Sequence, residues 1–317
     1  MKTYIWAIVT ACLLSVGFCK GLIPLLRKFK AGQNILGYVK EHQQKSGTPT
    51  MGGLGFITAA ILSAVLFIRE IDRTFLIVLV IGLAYMMIGL LDDFLKQQHK
   101  ENLGLRAWQK FAFQILVAIF SAVYCYREQH TLLYIPFFKT SIDVGGWIFP
   151  ISVFVFLATV NAVNLTDGLD GLAAGSSVPF FATLGVLIAL QNGSAFLSIL
   201  SFCLTGALLG YLCFNVSPAC VFMGDTGSLS LGGFAAAIAL FSGNALYIAI
   251  VGVVFVLSVI SVILQVIYYK ATHGKRIFLM APIHHHFQQK GFSESKIAYA
   301  YFFATLLLGL VCIVTAL

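Results

Sequence analysis

Charged residues are scarce in this 317-residue chain, where Asp, Glu, Lys and Arg together make up 10% of the residues. In soluble globular proteins the charged share is about 25% and the apolar share is about 45–50%. Here the apolar share is 59%, and no stretch has the composition of a soluble domain. These figures exclude a soluble globular protein and predict one integral membrane domain over residues 1–317.

Sequence signals for several common chemistries are also absent. The seven cysteines form no C-x-x-C pair, so we interpret them as small buried apolar residues rather than as metal ligands. No G-x-x-x-x-G-K-[ST] loop occurs, which excludes a P-loop nucleotide site. No small-residue cleavage site follows the first apolar run, so we expect that run to remain as a membrane helix.

Long apolar runs dominate the chain, whose mean hydropathy is +0.93. A membrane-spanning helix needs about 20 apolar residues, with a range of roughly 17–25. On this basis we predict an all-α polytopic fold with about ten transmembrane helices. The predicted segments are Tyr4–Ile23, Met51–Ile68, Phe75–Leu91, Trp108–Tyr126, Trp147–Val163, Leu172–Leu190, Phe196–Phe214, Leu229–Phe241, Ala245–Tyr269 and Ile297–Ala316.

The basic residues are distributed unevenly over the predicted loops. Most of the 20 Lys and Arg residues fall in the odd-numbered loops, counted from an outside N-terminus, or at the end of the first helix. Because cytoplasmic loops of membrane proteins carry the excess of Lys and Arg, the pattern predicts odd loops in the cytoplasm and both termini outside. We interpret the net charge of +8 as a topology signal that also attracts an anionic substrate, and expect no nucleic-acid partner.

The ionisable clusters lie on one side of this predicted topology. They fall in the cytoplasmic loops or at the helix ends beside them, which predicts one site at the cytoplasmic face of the membrane. A transporter would be expected to place polar groups near the middle of helices in two related halves, and the chain has no internal repeat. The clustered residues are Asp92, Asp93, Asp167, Asp170, Asp225, His284, His285 and His286.

The densest cluster of polar side chains is the stretch Asn161–Gly171, with the sequence NAVNLTDGLDG. Asn161, Asn164 and Asp167 are three residues apart, so a continuing helix would align them on one face. The two glycines that follow are expected to end that helix. The side chains suit Mg²⁺ or a hydrogen-bonding ligand such as uracil and ribose, and a polar network between helices is the alternative. The spacing lacks the frame of an EF-hand calcium loop.

An adjacent acid pair, Asp92 and Asp93, is predicted at the end of the third helix. Neighbouring helical residues point roughly 100° apart, so the two carboxylates are expected to divide their roles. One would lie near a phosphate or a metal ion, and the other would hold a lysine, for which Lys96 and Lys110 are the candidates. A solvated helix end is the alternative, although the helix dipole disfavours acids at a C-terminus.

Three further cytoplasmic loops carry ligating side chains. The run Gly47–Gly53, preceded by Lys45, suits either a phosphate cradle or a tight turn. The run Phe222–Ser228 places Asp225 between glycines, which suits either a plain turn or Mg²⁺ held by one carboxylate and substrate phosphates. The run Ala281–Phe287 contains three consecutive histidines, which suit phosphate binding or proton transfer better than zinc binding; a surface loop without a role is the alternative.

Together these residues resemble the polyprenyl-phosphate N-acetylhexosamine-1-phosphate transferase superfamily, and in particular its phospho-N-acetylmuramoyl-pentapeptide branch. The resemblance covers nearly the whole chain. One departure is Gln288-Gln289, where that branch commonly has an acid first, and we expect it to change the charge of the loop and not the reaction. The matching stretches are Asp92-Asp93, Asn161–Gly171 and Gly224-Asp225 for the superfamily, and Gly47–Gly53 and Pro282–Phe287 for the branch.

The resemblance implies an activity and its partners. The activity is transfer of phospho-N-acetylmuramoyl-pentapeptide from UDP-N-acetylmuramoyl-pentapeptide to undecaprenyl phosphate, giving lipid I and UMP in peptidoglycan synthesis, with Mg²⁺ as cofactor. The implied location is the bacterial cell (inner) membrane, where the chain is multi-pass, contacts membrane lipid and turns its active site to the cytoplasm. A homodimer is one oligomeric state left open. The alternatives are a UDP-N-acetylglucosamine-1-phosphate transferase, which the histidines disfavour, and a nucleotide-sugar or ion-coupled transporter.

The resemblance also implies roles for individual residues. Asp225 is the implied metal ligand, and the other implied catalytic residues are Asp92, Asp93, Lys110 and His284. Direct attack by the lipid phosphate is expected, and a phospho-aspartyl intermediate is the rival that the sequence leaves open. The positions implied at the uridine are Asn164, Asp167, Gly168, Asp170 and Phe222, and the other substrate-binding positions are Lys45, Asn161, Gly224, Gln265, His284 and His285.

Overall fold

The computed structural model describes residues 2–28, 47–68, 72–99 and 104–317. In these residues the chain forms twelve α-helices and one antiparallel β-hairpin, and eight of the helices are long and apolar enough to cross a membrane. The prediction of an all-α polytopic membrane fold is thereby confirmed. The elements are α1 (Lys2–Lys28), α2 (Gly53–Phe67), α3 (Arg73–His99), α4 (Ala107–Arg127), β1 (Leu132–Ile135), β2 (Thr140–Asp143), α5 (Ile148–Thr166), α6 (Leu172–Leu190), α7 (Ala195–Asn215), α8 (Gly224–Phe241), α9 (Ala245–Val251), α10 (Val253–Ala271), α11 (Ile283–Gln289) and α12 (Glu294–Ala316).

Helix α8 lies at the centre of the bundle. Every residue from Thr226 to Phe241 is buried, and α8 packs against α2, α3 and α5. Small residues permit this close packing, because a side chain at Gly232 would overlap the backbone of Val160 and one at Gly233 would overlap the ring of Tyr85. Close van der Waals packing of this kind holds helices together in lipid. The first turn of α8 is therefore fixed relative to α3 and α5.

The outer helices have the opposite character. Helices α1, α10 and α12 expose many large apolar side chains, such as Leu13, Ile267 and Val314. In water such surfaces would mark an interaction site or cause aggregation, whereas lipid tails are as apolar as the side chains themselves. The inner helices α6 and α7 are mostly buried instead. The bundle therefore has a packed interior and a surface that suits a bilayer.

Helices α3 and α8 are longer than predicted, and this changes the setting of the acids. The prediction that Asp92 and Asp93 close the third helix at Leu91 is wrong, because α3 continues to His99. An ion pair between Asp92 Oδ2 and Lys96 Nζ, 2.6 Å long, spans the next turn of α3 and supports the helix there. Helix α8 likewise begins at Gly224, five residues before the predicted segment, so it includes the acid of its first turn.

The predicted ninth segment, Ala245–Tyr269, is two helices rather than one. Helix α9 has 7 residues and α10 begins after Gly252. A Cβ at Gly252 would lie 2.6 Å from the carbonyl oxygen of Ile248, so the break between the two helices leaves no room for a side chain there. A hydropathy pattern does not reveal the break because both halves are apolar.

A small β-hairpin lies in the loop between α4 and α5. Strands β1 and β2 pair antiparallel with Leu133 opposite Ile142. Leu133 is buried, and the N–H group of Tyr134 donates to the carbonyl oxygen of Gly243 at 2.8 Å. The hairpin therefore covers the loop that joins α8 to α9, at the end of α8 away from its acid.

Candidate active site

Three carboxylates from two helices meet where α3 passes the start of α8. One carboxylate oxygen from each of Asp92, Asp93 and Asp225 lies within 4.8 Å of the others. The approach depends on Gly89, about one turn earlier on α3, because a Cβ there would overlap the backbone of Asp225. The fold therefore assembles the acids through a helix contact that only a residue without a side chain allows.

Asp93 anchors the first turn of α8. Its Oδ1 accepts a hydrogen bond from the N–H group of Asp225 at 3.2 Å. Its Oδ2 accepts from the N–H group and the hydroxyl of Thr226 at 2.9 and 2.7 Å. The first N–H groups of a helix have no partner within the helix. Asp93, which lies on α3, accepts hydrogen bonds from two such groups of α8, a role that an N-cap side chain of the helix itself usually has. Both of its oxygens are thereby engaged by α8.

Gly224 is required where the preceding loop turns into α8. Its φ is +71°, a conformation that glycine adopts far more readily than residues with a side chain. A Cβ at this position would also lie 2.5 Å from Asp93 Oδ2 and 2.6 Å from Thr50 Oγ1. The loop therefore reaches the acids only because residue 224 has no side chain.

The run Gly47–Gly53 pairs with the loop before α8 through its backbone. The N–H group of Phe222 donates to the carbonyl oxygen of Pro49 at 2.8 Å, and the N–H group of Gly52 donates to that of Phe222 at 2.9 Å. These bonds place the run beside the three acids, where sequence analysis considered either a phosphate cradle or a turn. Lys45, which was predicted to bind substrate with this run, lies outside the described residues.

Two lysines bridge the acids. Lys96 Nζ lies 2.6 Å from Asp92 Oδ2 and 2.9 Å from Asp225 Oδ2. Lys110 Nζ lies 2.7 Å from the same oxygen of Asp225 and 3.9 Å from Asp92 Oδ2. Asp92, Asp93, Asp225, Lys96 and Lys110 are called the carboxylate–lysine cluster below. Because Asp92 is only 2% exposed, its ion pairs are weakly screened by water.

Asn164 contacts the remaining oxygen of Asp225. Its Nδ2 donates to Asp225 Oδ1 and to Ser228 Oγ, both at 2.8 Å. Helix α5 ends at Thr166, just before the glycines that were predicted to end it, so Asn164 lies in its last turn. The family resemblance implied a contact of Asn164 with the uridine, and the structure places its amide against Asp225, the predicted metal ligand.

The carboxylate–lysine cluster fits a divalent cation. The ammonium group of Lys96 already lies between oxygens of Asp92 and Asp225, so these two acids converge on positive charge. Carboxylate oxygens are the hard ligands that Mg²⁺ and Ca²⁺ take in proteins. Asp225 and Asp92 would hold the ion, since the oxygens of Asp93 are engaged by α8.

Helix α11, which carries the three histidines, packs against Gly168. His284 is fully buried, and neither of its ring nitrogens has a hydrogen-bond partner among the described residues. Burial lowers the pKa of His284 to about 3, and the neighbouring His285 adds to the effect, so His284 is neutral at pH 7. A Cβ at Gly168 would overlap His284 Nε2 and lie 3.0 Å from His285 Nε2. The glycine therefore leaves both rings facing the turn that contains it.

Asp167 lies in the same turn. Burial raises the pKa of Asp167 well above its usual range, and the negative charges of Asp225, Asp93 and Asp170 raise it further. Desolvation and like charges both disfavour the ionised form of an acid. The side chain therefore suits a ligand that can exchange hydrogen bonds with a carboxyl group.

Asp170 serves a different contact from Asp167. Its Oδ2 accepts from the N–H group of Ala219 at 3.0 Å, and its own N–H group donates to Glu294 Oε2 at 3.0 Å. These bonds join the turn after α5 to the loop before α8 and to the first turn of α12. These bonds place Asp170 in the framework around the turn, and its implied contact with the uridine stays a prediction.

Two predicted substrate-binding residues, Asn161 and Gln265, hold parts of the framework. Asn161 Nδ2 donates to Gln114 Oε1 at 2.8 Å, which links α5 to α4. Gln265 exchanges two hydrogen bonds of 3.0 Å with the backbone of Phe278 and thereby holds the segment after α10. Their described hydrogen bonds do not connect them to the carboxylate–lysine cluster.

Gly89 and Glu294 contribute to the site although sequence analysis did not single them out. For Gly89 the sequence does offer a signal. It is a small residue in an apolar helix, about one turn before the acid pair, and small residues in membrane helices favour close contact with a neighbouring helix. For Glu294 the signal was an acid directly after Ser293, which caps α12 by accepting from Lys296 N. Neither signal indicates the partner, because both partners are distant in sequence.

Known proteins are similar in sequence to this chain over nearly its whole length. The model of glycosyl transferase family 4 matches residues 75–243. A phospho-N-acetylmuramoyl-pentapeptide-transferase from Caldanaerobacter subterraneus is 45% identical over 95% of this chain and 96% of its own length. A protein of the same name from Bacillus subtilis is 42% identical over 97% of this chain and 96% of its own length. The chain belongs to this transferase family.

Membership of this family confirms the resemblance inferred from the motifs. The range 75–243 matched by the family model contains the three acids of the carboxylate–lysine cluster and the stretch Asn161–Gly171. The match to the family model ends before α11, so the three histidines lie outside the matched range. The relatives match 95–97% of the chain, which extends the similarity to nearly all of it.

Proposed function

We propose that this chain transfers phospho-N-acetylmuramoyl-pentapeptide from its UDP carrier to undecaprenyl phosphate, giving lipid I and UMP. The relatives are named for transfer of this group. The carboxylate–lysine cluster carries the proposal, because three acids and two lysines meet beside the ends of membrane helices. A lipid phosphate and a water-soluble diphosphate can meet only at such a boundary.

The proposed site lies at the cytoplasmic face of the bacterial cell membrane, with both termini on the other side. The excess of Lys and Arg in the loops on the side of the site supports this orientation. So does the chemistry, since the UDP-linked donor is soluble and the acceptor is a membrane lipid. The same basic loops would raise the local concentration of both anionic substrates.

Mg²⁺ is the proposed cofactor, with Asp225 and Asp92 as the residues that hold it. When bound, the ion would neutralise charge on the diphosphate and on the leaving UMP. Lys96 and Lys110 reach the same carboxylate oxygens, so they are placed to bind the oxygens of the phosphates beside the ion. Catalysis of phosphoryl transfer is mainly positioning and charge stabilisation, which this set of side chains supplies.

In the proposed reaction the lipid phosphate attacks directly. One of its oxygens forms a bond to the phosphorus attached to the sugar, and the bond from that phosphorus to UMP breaks. Asp92 is the acid we assign to orienting the attacking phosphate, since Leu105 N–H holds its Oδ1 at 2.7 Å and its Oδ2 faces the lysines. Asp93 is a positioning residue in this scheme, because α8 engages both of its oxygens. An engaged, buried carboxylate is a poor nucleophile, which disfavours a phospho-aspartyl route through Asp93.

The turn after α5 and the histidines are the proposed site for the nucleotide-sugar donor. Asp167 and His284 both present polar groups to this turn, and His284 has no described partner of its own. A buried polar group without a partner costs free energy, and a ligand that supplies the missing hydrogen bonds recovers it. Phe222 lies in the loop before α8 and Gly224 begins α8. That loop reaches this turn through a backbone N–H bond to Asp170, and we include both residues in the proposed donor site.

Replacing Gly168 by Ala should weaken binding of the UDP-linked donor. The added Cβ would overlap His284 Nε2, and His284 cannot move aside easily because it is fully buried. Overpacking of this kind costs about 1–3 kcal/mol, so we expect KM for the donor to rise by roughly 5–150-fold with a smaller change for the lipid. Gly175→Ala is the matched control, because a Cβ at Gly175 meets nothing within 4 Å. An unchanged KM in Gly168→Ala would contradict the assigned place of the donor.

The activity itself is tested with purified protein in detergent, UDP-N-acetylmuramoyl-pentapeptide, undecaprenyl phosphate and Mg²⁺. We expect lipid I and UMP in equal amounts, and loss of both when the metal is chelated, with recovery on adding Mg²⁺. UDP-N-acetylglucosamine in place of the donor is the control and should give no lipid product. A lipid product formed only from UDP-N-acetylglucosamine would assign the chain to the UDP-N-acetylglucosamine-1-phosphate transferases. Release of UMP in the absence of undecaprenyl phosphate would support a covalent intermediate.

A further inference from the structure

Helix α4 is bonded to both of its neighbours at a single residue, Gln114, which lies one turn further along α4 than Lys110. Gln114 is only 1% exposed. Its Oε1 accepts a hydrogen bond from Asn161 Nδ2 of α5 at 2.8 Å. Its backbone carbonyl oxygen accepts from the hydroxyl of Tyr85 on α3 at 3.2 Å. Gln114 therefore joins α4 to α3 and α5 at the same level of the bundle.

The contact between α4 and α5 is repeated one turn away, at the carboxylate–lysine cluster. Lys110 Nζ contacts Asp225 Oδ2 at 2.7 Å, and Asn164 Nδ2 contacts Asp225 Oδ1 at 2.8 Å. Lys110 and Gln114 are four residues apart on α4, and Asn161 and Asn164 are three apart on α5, so each pair lies on one face of its helix. The two helices are thus linked on consecutive turns, directly through the amides and then through Asp225.

Apolar packing does little to fix the rotation of α4 about its own axis. Its outer face exposes large apolar side chains, such as Phe111, Leu116 and Phe120, and most of its buried residues are small. Lipid tails are as apolar as these side chains, so helices in lipid are held by close packing and by hydrogen bonds between them. The hydroxyl of Ser121 bonds within α4. The bond of Gln114 to α5 is therefore suited to set the rotation of α4 near Lys110.

We propose that Gln114 is a positioning residue that acts through Lys110. Its bond to Asn161 holds α4 in the rotation that directs the ammonium group of Lys110 to Asp225 Oδ2. Lysine has a flexible four-carbon stem, so its ammonium group is placed reproducibly only when its helix is fixed. This inference rests on the proposed function, in which Lys110 binds phosphate oxygens beside the metal ion. It needs neither amide to touch a substrate.

Three variants separate this role from simple packing. Gln114→Met keeps the approximate length and volume of the side chain and removes the acceptor. Gln114→Asn shortens the side chain by one methylene, so its oxygen no longer reaches Asn161, and it serves if the methionine variant aggregates in detergent. The double variant Gln114→Asn/Asn161→Gln moves the missing methylene to the partner and lets the bond form again. Ser121→Ala is the matched control, because it removes a hydroxyl from α4 that bonds within the helix.

The direct test is the rate at which an amine-reactive reagent labels Lys110 in the whole protein in detergent, measured by peptide mass spectrometry. One hydrogen bond of ordinary strength corresponds to roughly a 2–10-fold change in an equilibrium constant, so labelling of Lys110 should be faster by about that factor in both single variants of Gln114. The double variant and Ser121→Ala should match the unmodified protein. Lys96 is the internal reference, because its ion pair with Asp92 lies within α3. Unchanged labelling of Lys110, or an equal rise at Lys96, would overturn the inference.

Kinetics give a second readout. In Gln114→Met, kcat should fall by roughly 2–10-fold, with a smaller change in KM for the UDP-linked donor, since the proposed donor site lies at the turn after α5. The double variant should restore kcat. A rise in KM with unchanged kcat, or failure of the double variant to restore both kcat and the labelling rate, would contradict a role through Lys110. Lack of any transferase activity in the unmodified protein would overturn the proposed function instead, while the labelling would still decide whether Gln114 positions Lys110.

Discussion

Replacing Asp225 by Asn is expected to lower the rate of lipid I formation by about 10²–10³-fold while the protein still folds. Asp225 is the acid on which the site converges, since Lys96 and Lys110 both contact its Oδ2 and Asn164 contacts its Oδ1. The amide keeps an oxygen for Asn164 but removes the negative charge. The site then loses affinity for a divalent cation, and the two lysines lose the acceptor that positions them.

The measurement is the initial rate of UMP release across a range of Mg²⁺ concentrations, together with size-exclusion chromatography and thermal unfolding in detergent. Asp143→Asn is the matched control, because Asp143 is an exposed acid at the end of β2 and is expected to leave the rate unchanged. Near-normal turnover of Asp225→Asn at ordinary Mg²⁺ would remove Asp225 from the proposed metal site. Aggregation of the variant would show a structural role, and Asp225→Glu, which keeps the charge, would then separate charge from folding.

The sequence was most informative where a property depends on local composition. Apolar runs located the helices, and the glycines after Asp167 located the end of α5 within a few residues. Clustering of acids on one side of the predicted topology indicated a single site, and the structure brings Asp92, Asp93 and Asp225 together. These features were predictable because helix formation in lipid and the ends of helices are set by nearby residues.

The sequence was least informative where a property depends on a contact between distant residues. Different roles for Asp92 and Asp93 were expected. The role of Asp93 could not be predicted, because its partner is the backbone of α8, which is distant in sequence. The length of α3 was underestimated since a hydropathy window ends at the first charges, although the Asp92–Lys96 spacing suits a continuing helix. The roles assigned to Asn161 and Gln265 remain predictions, and the structure shows their amides bonded to Gln114 and Phe278.

The contact between α3 and α8 leads to the second large effect, which is expected for Gly89→Ala. A Cβ at Gly89 would overlap the carbonyl group of Asp225 and the nitrogen of Thr226. These are backbone atoms within a buried helix, so no side chain can rotate to make room. The helices must separate, which costs about 1–3 kcal/mol or more. A displacement of about 1 Å at reacting groups is enough to reduce a rate by roughly 10²-fold, so we expect a loss of that size in lipid I formation.

Gly17→Ala is the control for this prediction, because Gly17 lies in α1 and a Cβ there meets nothing within 4 Å. Alanine also favours helix more than glycine does, so the control should be at least as stable as the unmodified protein. The measurements are the rate of lipid I formation and the thermal unfolding midpoint of both variants in the same detergent. Activity of Gly89→Ala within twofold of the control would mean that α3 and α8 tolerate separation. The position of Asp225 relative to Asp92 would then matter less than the proposed mechanism requires, since that mechanism depends on oxygens of both acids reaching one cation.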